Sequence, residues 1–574
     1  MKILIAAINA KYMHSSLAPW YLKSAYSLKE ENNNTIDIID FTINMQYEQI
    51  IASIYNNNPD ILAFSCYIFN IEMILKICVE IKKLLPRLIL ILGGPEVSYD
   101  SKEIMESHTE IDYIISGEGE KPFSRLIDFV SDNKYMLSDI AGITYRIGNE
   151  IIQNPMDKIQ CDLNSLQSPY TDEMLENAKN KIVYFEASRG CPFKCSYCLS
   201  SESGGVRFFG LERVKSDLNK LMHSEVRQIK FVDRTFNCNV TRAKEIFSYI
   251  INTVKNDTSG KCISQNYHFE IAADIFDEEL LTLLSHAPQG LFQFEIGIQS
   301  MNEKTLQAVN RKTNISVCRE NIRRLIAEGN IHIHLDLIAG LPFEDYDSFA
   351  SSFNDIYSQK PHDIQLGFLK LLKGSEMRSY ANANHYVYTD YPPYEILCTP
   401  ILAFDDILKL KNIENAVERL YNSGKFHLSI NFIVKRFDSP FNFFESFSSY
   451  LLTQNIYDKS ISLKEYYNLY YDFATEVLKA DELFVFNELV KYDYFISDNS
   501  CHPPVSIKRT INAQIKTLYK TVKKNYTFHL EIFEIDILEF IKTGELTNEP
   551  VYLCFNYSEK NVVTNKFICE KVEI

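Results

Sequence analysis

The sequence predicts an α/β protein in three stretches: a doubly wound parallel sheet, a partial (β/α)6 barrel and a mainly helical C-terminal domain. Three observations carry that expectation. Strand-like apolar runs alternate with helical segments five times between residue 2 and about residue 130. The alternation resumes for six units between about 180 and 372, and helical periodicity dominates beyond about 380. Continuous apolar strands separated by helices fit a parallel sheet covered on both faces. At 574 residues, 46% hydrophobic and 23% charged, the chain has the composition of a globular protein with room for a sizeable core.

In the first stretch the strand-like runs are Lys2 to Ile8, Ile36 to Phe41, Asp60 to Cys66, Leu88 to Gly93 and Tyr113 to Ser116. Ligands of such sheets bind beyond the carboxyl ends of the strands. Those ends carry Asn9 to Ser16, including His14 and Ser15, then Ser65-Cys66-Tyr67, Gly93-Gly94-Pro95-Glu96 and Gly117-Glu118-Gly119-Glu120. Glycines there let backbone approach a large flat or phosphorylated ligand. Residues from about 131 to 175, with Asn154-Pro155 and Ser168-Pro169-Tyr170, read as a polar, proline-punctuated connection.

The second stretch offers strands at Val183 to Ala187, Gln228 to Asp233, His268 to Ala272, Leu291 to Ile298, Ile331 to Ile338 and Asp363 to Leu371. Helices such as Leu211 to His223, Thr241 to Val254 and Ile315 to Glu328 separate them. In barrels of β/α units, chemistry lies at the carboxyl-terminal strand ends. Residues two apart on a strand share a face. His332, His334 and Asp336 therefore share one, as do Glu295, Gly297 and Gln299, and His268, Glu270 and Ala272. Polar side chains on the inner faces of several strands indicate a ligand-filled cavity rather than a packed interior, with His332, His334 and Asp336 as candidates to meet the substrate.

In the last stretch Asp405 to Tyr421 and Leu463 to Leu478 have helical periodicity, and Thr527 to Phe533 and Val551 to Asn556 look strand-like. Tyr391-Pro392-Pro393-Tyr394 is a candidate hinge into it. Cys398, Cys501, Cys554 and Cys569 lack cluster spacing.

The stretch that organises the chain is Cys191-Pro192-Phe193-Lys194-Cys195-Ser196-Tyr197-Cys198, after the first strand of the second stretch. Three thiolates spaced C-x3-C-x2-C can meet three corners of an iron-sulfur cube and leave the fourth iron open. A closed zinc knuckle would need a second pair of ligands, and no matching pair lies nearby in the sequence. The loop resembles the signature of radical SAM enzymes, in which S-adenosylmethionine (SAM) binds that open iron. Combined with Leu92 to Pro95 and Gly117 to Glu120, it resembles the cobalamin-binding class of those enzymes.

The resemblance implies a Rossmann-like cobalamin domain over 1–145, a linker over 146–175, a TIM-like radical SAM core over 176–380 and an extension of unassigned role over 381–574. It implies a [4Fe-4S] cluster on Cys191, Cys195 and Cys198, with Tyr197, Glu270, Glu295, Gln299 and Gly340 toward SAM. Phe231 to Phe236 resembles the family's F-x-D-x-x-F segment, and it stands where a G-G-E-P segment is usual. Cobalamin would rest on His14, Ser15, Ser65, Gly93, Gly94, Pro95, Glu118 and Gly119. The D-x-H-x-x-G motif that supplies a histidine to cobalt is missing, so cobalamin is expected without a protein imidazole on its lower face.

The activity implied is generation of a 5′-deoxyadenosyl radical and methylation of an unactivated carbon in a small-molecule or peptide substrate. A cyclase or isomerase without methyl transfer is the alternative. A tRNA methylthiotransferase-like enzyme is the second alternative, and it needs a second cluster on Cys66, Cys78 and Cys161. An electron donor such as flavodoxin or ferredoxin is the expected partner. The net charge of −16, with only short basic pairs such as Lys82-Lys83 and Lys523-Lys524, argues against a nucleic-acid surface. No apolar run approaches the ~20 residues of a membrane helix. Thirteen scattered cysteines and an N-terminus without a signal-peptide layout predict a cytoplasmic protein.

Overall fold

A computed structural model describes the chain apart from residues 27–33, 133, 158–160, 259, 261, 263–264, 457–458, 501, 510–526, 548 and 573–574, and the side chains of 202–203. Cys501 and the Lys523-Lys524 pair thus lie outside the described residues. The chain forms two compact units. One comprises Met1–His286, Val309–Lys312 and Leu369–Pro400; the other comprises Ala287–Ala308, Thr313–Phe368 and Ile401–Ile574.

The first unit begins with a seven-stranded sheet of order β2-β1-β3-β4-β5-β6-β7. Its strands are β1 (Lys2–Asn9), β2 (Thr35–Thr42), β3 (Ile61–Ser65), β4 (Ile89–Gly93), β5 (Tyr113–Ile115), β6 (Ile143–Ile147) and β7 (Glu150–Gln153). The first five run parallel, as expected. β1 is buried on both faces because its apolar run is unbroken. Leu4, Ala6 and Ile8 join the layer formed with Ile74, Ile77 and Ile81 of the helix Ile71–Leu84. Ile3 and Ile5 join the layer formed with Phe123, Leu126 and Ile127 of the helix Glu120–Asp132. Each such aliphatic side chain contributes about 1.5–3 kcal/mol relative to exposure.

The stretch read as a connection begins differently from expectation. β6 and β7 form an antiparallel hairpin that extends the sheet beyond β5. Ile143 and Tyr145 are buried against the core, and Gly148 takes φ +57° in the two-residue turn. Strands of four and five residues with polar Thr144, Arg146 and Gln153 leave little apolar periodicity to detect.

The same unit continues with β8 (Ile182–Phe185), the short strands β9 (Ser188–Arg189) and β10 (Arg207–Phe208), β11 (Gln228–Phe231) and β12 (Asn266–Glu270). β8, β11 and β12 are parallel neighbours. The loop after β1 is fastened to β8: Ile182 N donates to Met13 O at 2.7 Å, and Ser15 N and Oγ donate to Ile182 O at 3.1 and 2.9 Å.

The second unit holds the other three β/α strands, β13 (Phe292–Gln299), β14 (His332–Ala339) and β15 (Asp363–Phe368), again parallel. Along β13 and β14, buried and partly buried residues alternate strictly. The segment with the expected hinge carries β16 (Val387–Tyr388) and β17 (Ile396–Cys398) and belongs to the first unit. The rest is mainly helical, as expected, with helices Phe404–Val417, Pro440–Thr453, Leu463–Val477 and Ala480–Ser497. An antiparallel sheet of β18 (Phe528–Phe533), β19 (Val551–Lys560) and β20 (Phe567–Lys571) completes it. The helix expected over Asp405 to Tyr421 ends in a π-helical turn, Glu418–Asn422.

Candidate active site

A cavity of about 540 Å³ lies at the carboxyl ends of β1, β3, β4 and β5. His14, Ser15, Ser65, Gly93, Gly94, Pro95, Glu118 and Gly119 all line it. Gly94 is required by geometry: at φ +106° a Cβ would stand 2.5 Å from Cys66 O and 2.9 Å from Cys66 N. The tips of β3 and β4 can therefore pack backbone to backbone and leave an open floor, a cradle suited to a flat macrocycle.

Tyr184, Glu186, Arg189, Val232 and Arg234, from around β8, β9 and β11, line the same cavity. His14 Nδ1 lies 2.8 Å from Tyr184 Oη. Burial, then Lys11 and Lys230, lower the His14 pKa. A charge network absent from the sequence reading centres on Arg189. Its Nη2 meets Glu120 Oε1 at 2.6 Å, its Nε meets Glu186 Oε1 at 3.0 Å and its Nη1 meets Glu118 Oε2 at 3.5 Å. Arg207 also pairs with Glu118. Burial opposes the Arg189 charge, but Glu186, Glu120 and Glu118 more than offset it; burial raises the Glu186 pKa.

The cysteine loop is aimed by its neighbours. Asp233, 2% exposed, accepts from Ala187 N at 3.0 Å and from Ser188 Oγ, which sets the turn leading into the loop. Burial pushes its carboxyl up to about 7. Within the loop Cys198 N donates to Cys195 O at 3.1 Å; Ser196 N donates to Val309 O at 3.0 Å and Met377 N to Ser196 O at 2.8 Å. Arg311 Nη1 stands 3.8 Å from Cys195 Sγ and 3.4 Å from Tyr197 Oη. Cys191 Sγ lies 3.6 Å from Thr235 Oγ1, and burial raises its pKa. Three soft thiols on one short loop, with a guanidinium beside one of them, suit an iron-sulfur cluster with an open iron.

Of the residues expected toward SAM, Tyr197 sits in that loop and Glu270 ends β12, 3.6 Å from Arg234 Nη1. Glu295 and Gln299 lie on β13, and Gly340 follows β14 at φ +92°. Gln299 takes φ +70° where the β13–β14 register shifts, a local strain and bulge of the kind that re-aims a side chain. His332 and His334 begin β14, and Asp336 lies midway along it. The second cluster of a methylthiotransferase finds little support. Cys66 and Cys78 are buried in the core with pKa values raised by burial, and Cys161 Sγ bonds Asp162 O at 3.5 Å.

Three family models match: a B12 binding domain over residues 3–127, the Radical SAM superfamily over 185–356 and a protein of unknown function, DUF4080, over 383–566. The chain is 26% identical over 342 residues to the cobalamin-dependent radical SAM methyltransferase TokK of Streptomyces tokunonensis, covering 57% of this chain and 49% of the relative. It is 27% identical over 272 residues to the anaerobic magnesium-protoporphyrin IX monomethyl ester cyclase of a Synechocystis species, covering 45% of this chain and 51% of the relative. The chain thus spans about half the length of these curated relatives. The solved structure of the cobalamin-dependent SAM radical enzyme OxsB with aqua-cobalamin bound superposes with a TM-score of 0.58 at 15% identity, over 86% of this chain and 79% of that one, a likeness of fold. Among the described residues no helix is long and apolar enough to cross a membrane. The domain matches imply a [4Fe-4S] cluster, SAM and cobalamin as the bound groups. The chain thus combines a B12-binding domain with a radical SAM domain and carries a DUF4080 match over its C-terminal extension, an arrangement similar to that of cobalamin-dependent radical SAM methyltransferases.

Proposed function

We propose that the chain is a radical SAM enzyme that methylates an unactivated carbon of a small-molecule or peptide substrate. The carrying observation is the shared cavity: all eight residues singled out for cobalamin line it, and side chains from the strands around the cysteine loop line it too. When bound, the cluster and SAM supply a 5′-deoxyadenosyl radical and cobalamin supplies a transferable methyl group. The chain's own residues position and enclose. Cys191, Cys195 and Cys198 hold iron; Tyr197, Glu270, Glu295, Gln299 and Gly340 hold SAM; His14, Ser15, Ser65, Gly93, Gly94, Pro95, Glu118 and Gly119 hold cobalamin. Tyr184 holds the His14 ring through Nδ1, and the missing D-x-H-x-x-G motif favours cobalamin without an imidazole ligand. Asp336, nearer than His332 and His334 to the carboxyl end of β14, is assigned to the substrate.

The proposed domains keep boundaries at 176–380 and 381–574, while the β6–β7 hairpin carries the cobalamin domain to Gln153. The scattered cysteines favour a cytoplasmic setting, with flavodoxin or ferredoxin as donor. Ring closure without methyl transfer is the second reading, favoured by the cyclase among the relatives. Incubation with methyl-labelled SAM and reduced flavodoxin separates the two. With the substrate present, S-adenosylhomocysteine together with 5′-deoxyadenosine supports methylation, and substrate-dependent 5′-deoxyadenosine without S-adenosylhomocysteine supports cyclisation. Neither product above a Cys195→Ala control overturns the radical reading.

A further inference from the structure

Two histidines and a carboxylate meet where β14 and β15 begin. His332 and His334 project to one face of β14, while Ile333 and Leu335 between and beyond them are buried in the core. The parallel register places Asp363, first residue of β15, opposite His334. His334 Nε2 lies 2.6 Å from Asp363 Oδ2, and His332 Nε2 lies 4.0 Å from the same oxygen. One donor atom of each of the three lies within 4.8 Å of the others. We propose that His332, His334 and Asp363 hold a divalent transition-metal ion of the zinc class, which ties the start of β14 to the start of β15 at the strand ends opposite Gly340.

Four features carry the assignment. Both imidazoles and the carboxylate come from adjacent hydrogen-bonded strands, so the donors are held by sheet rather than by loops. Two imidazoles and one carboxylate suit zinc, which keeps its donors about 3.4 Å apart in a tetrahedron. The distances of 2.6 and 4.0 Å fall on either side of that spacing, so small ring rotations reach it. The surroundings are acidic: Glu295 stands opposite His334 in the β13 register, and Asp336 follows on the same face. With Asp363 they place three carboxylates around the imidazoles, an excess of negative charge that a divalent cation balances. The Gln293 amide stands 2.8 Å from His334 Nε2, the atom the ion would take, and turns aside when the ion binds. Side-chain exposures of 26%, 19% and 21% leave access for the ion and room for a water as fourth ligand.

The site also lies where the extension grips β15. Asn422, in the π-helical turn, accepts from Ile364 N at 2.9 Å and donates to Ile364 O at 3.0 Å; Tyr421 Oη donates to Pro361 O at 2.6 Å. An ion on Asp363 would stiffen the segment that these contacts hold.

The full-length chain carrying Cys191→Ser, Cys195→Ser and Cys198→Ser, freed of metal, is titrated with cobalt(II), whose spectrum separates imidazole and carboxylate ligation from thiolate ligation, and then with zinc by calorimetry. One equivalent with a thiolate-free spectrum is expected, weakened at least tenfold by His334→Gln and by Asp363→Asn in variants that keep the parent circular dichroism. No binding, a thiolate spectrum, or equal affinity in either folded variant overturns the proposal. Should both variants fail to fold, X-ray absorption on the zinc-loaded parent decides: a shell with two imidazoles and no sulfur supports it, and a sulfur shell overturns it.

Discussion

Ionisable side chains are withdrawn from water in both units, yet they do opposite things. In the first, Arg189, Glu120, Glu186 and Glu118 stand around a cavity of about 540 Å³. In the C-terminal part of the second, Lys491 and Glu488 pair at 2.7 Å with side chains 0% and 3% exposed. Their remaining valences are met by backbone: Lys491 Nζ donates to Ile532 O at 2.8 Å and Glu488 accepts from Glu534 N at 2.8 Å. Asp493 accepts from Leu428 N, Ser429 N and Ser429 Oγ, which closes the start of the helix His427–Ile433. Rings of Phe443, Phe447, Tyr466, Tyr470 and Phe473 pack beside one another in the same unit. Charges that face open space can exchange partners for a ligand; charges satisfied by backbone inside packed protein serve architecture.

The contrast can be broken by substitution. The largest effect is expected at the cysteine loop, where Cys195→Ala should reduce cluster iron to background while cobalt content persists; iron equal to wild type would contradict the assignment. Lys491→Met strands the Glu488 carboxylate inside the protein and should cost about 3–5 kcal/mol in urea unfolding. Arg189→Met should cost less, about 1–3 kcal/mol, because Glu120 and Glu186 face a cavity that water can enter. Equal losses would erase the distinction between the two regions.

Gly94→Ala forces a side chain into Cys66 backbone at positive φ and should cost about 1–3 kcal/mol, with cobalamin binding weakened at least tenfold. Unchanged cobalamin affinity would move the ligand away from the tips of β3 and β4. The smallest effect concerns pH. Glu344 accepts from Ser300 Oγ at 2.6 Å and Ser352 Oγ at 3.1 Å, and burial raises its pKa to about 7. Between its ordinary 4.5 and about 7 the folded protein keeps a proton that the unfolded chain releases, so stability falls as pH rises through that window. Glu344→Gln should flatten that slope and raise stability at pH 8 by about 2 kcal/mol, read by thermal unfolding at pH 5 and pH 8. Parallel curves for the two proteins would refute it.

Strands of the first β/α run such as β1 and β3 were legible as continuous apolar runs bounded by turns, and those of the second, such as β13 and β14, as alternations of apolar and polar residues. Lys2 to Ile8 became Lys2–Asn9, and the helix Ile315–Glu328 has the expected bounds. The helix Ala480–Ser497 escaped detection because it is buried nearly all round, from Val485 to Ile496, and so lacks a polar face. The cobalamin candidates were legible because strand ends and glycines are local features. Arg189 with Glu120, and Arg311 with Cys195, were not, since each pair joins residues 69 and 116 positions apart, respectively. The same holds for Asp363, which only the β14–β15 register brings to His334.

Everything proposed for the first unit rests on the glycine-floored cavity holding cobalamin beside the cysteine loop. Anaerobic purification with iron and cobalamin supplied, followed by optical spectra and iron, sulfide and cobalt analysis of one sample, tests it most directly. About one cobalt and one four-iron cluster per chain is the predicted result, with cobalt lost in Gly94→Ala and iron lost in Cys195→Ala. A cluster without cobalt, despite supply, would contradict the claim and assign the cavity to another ligand.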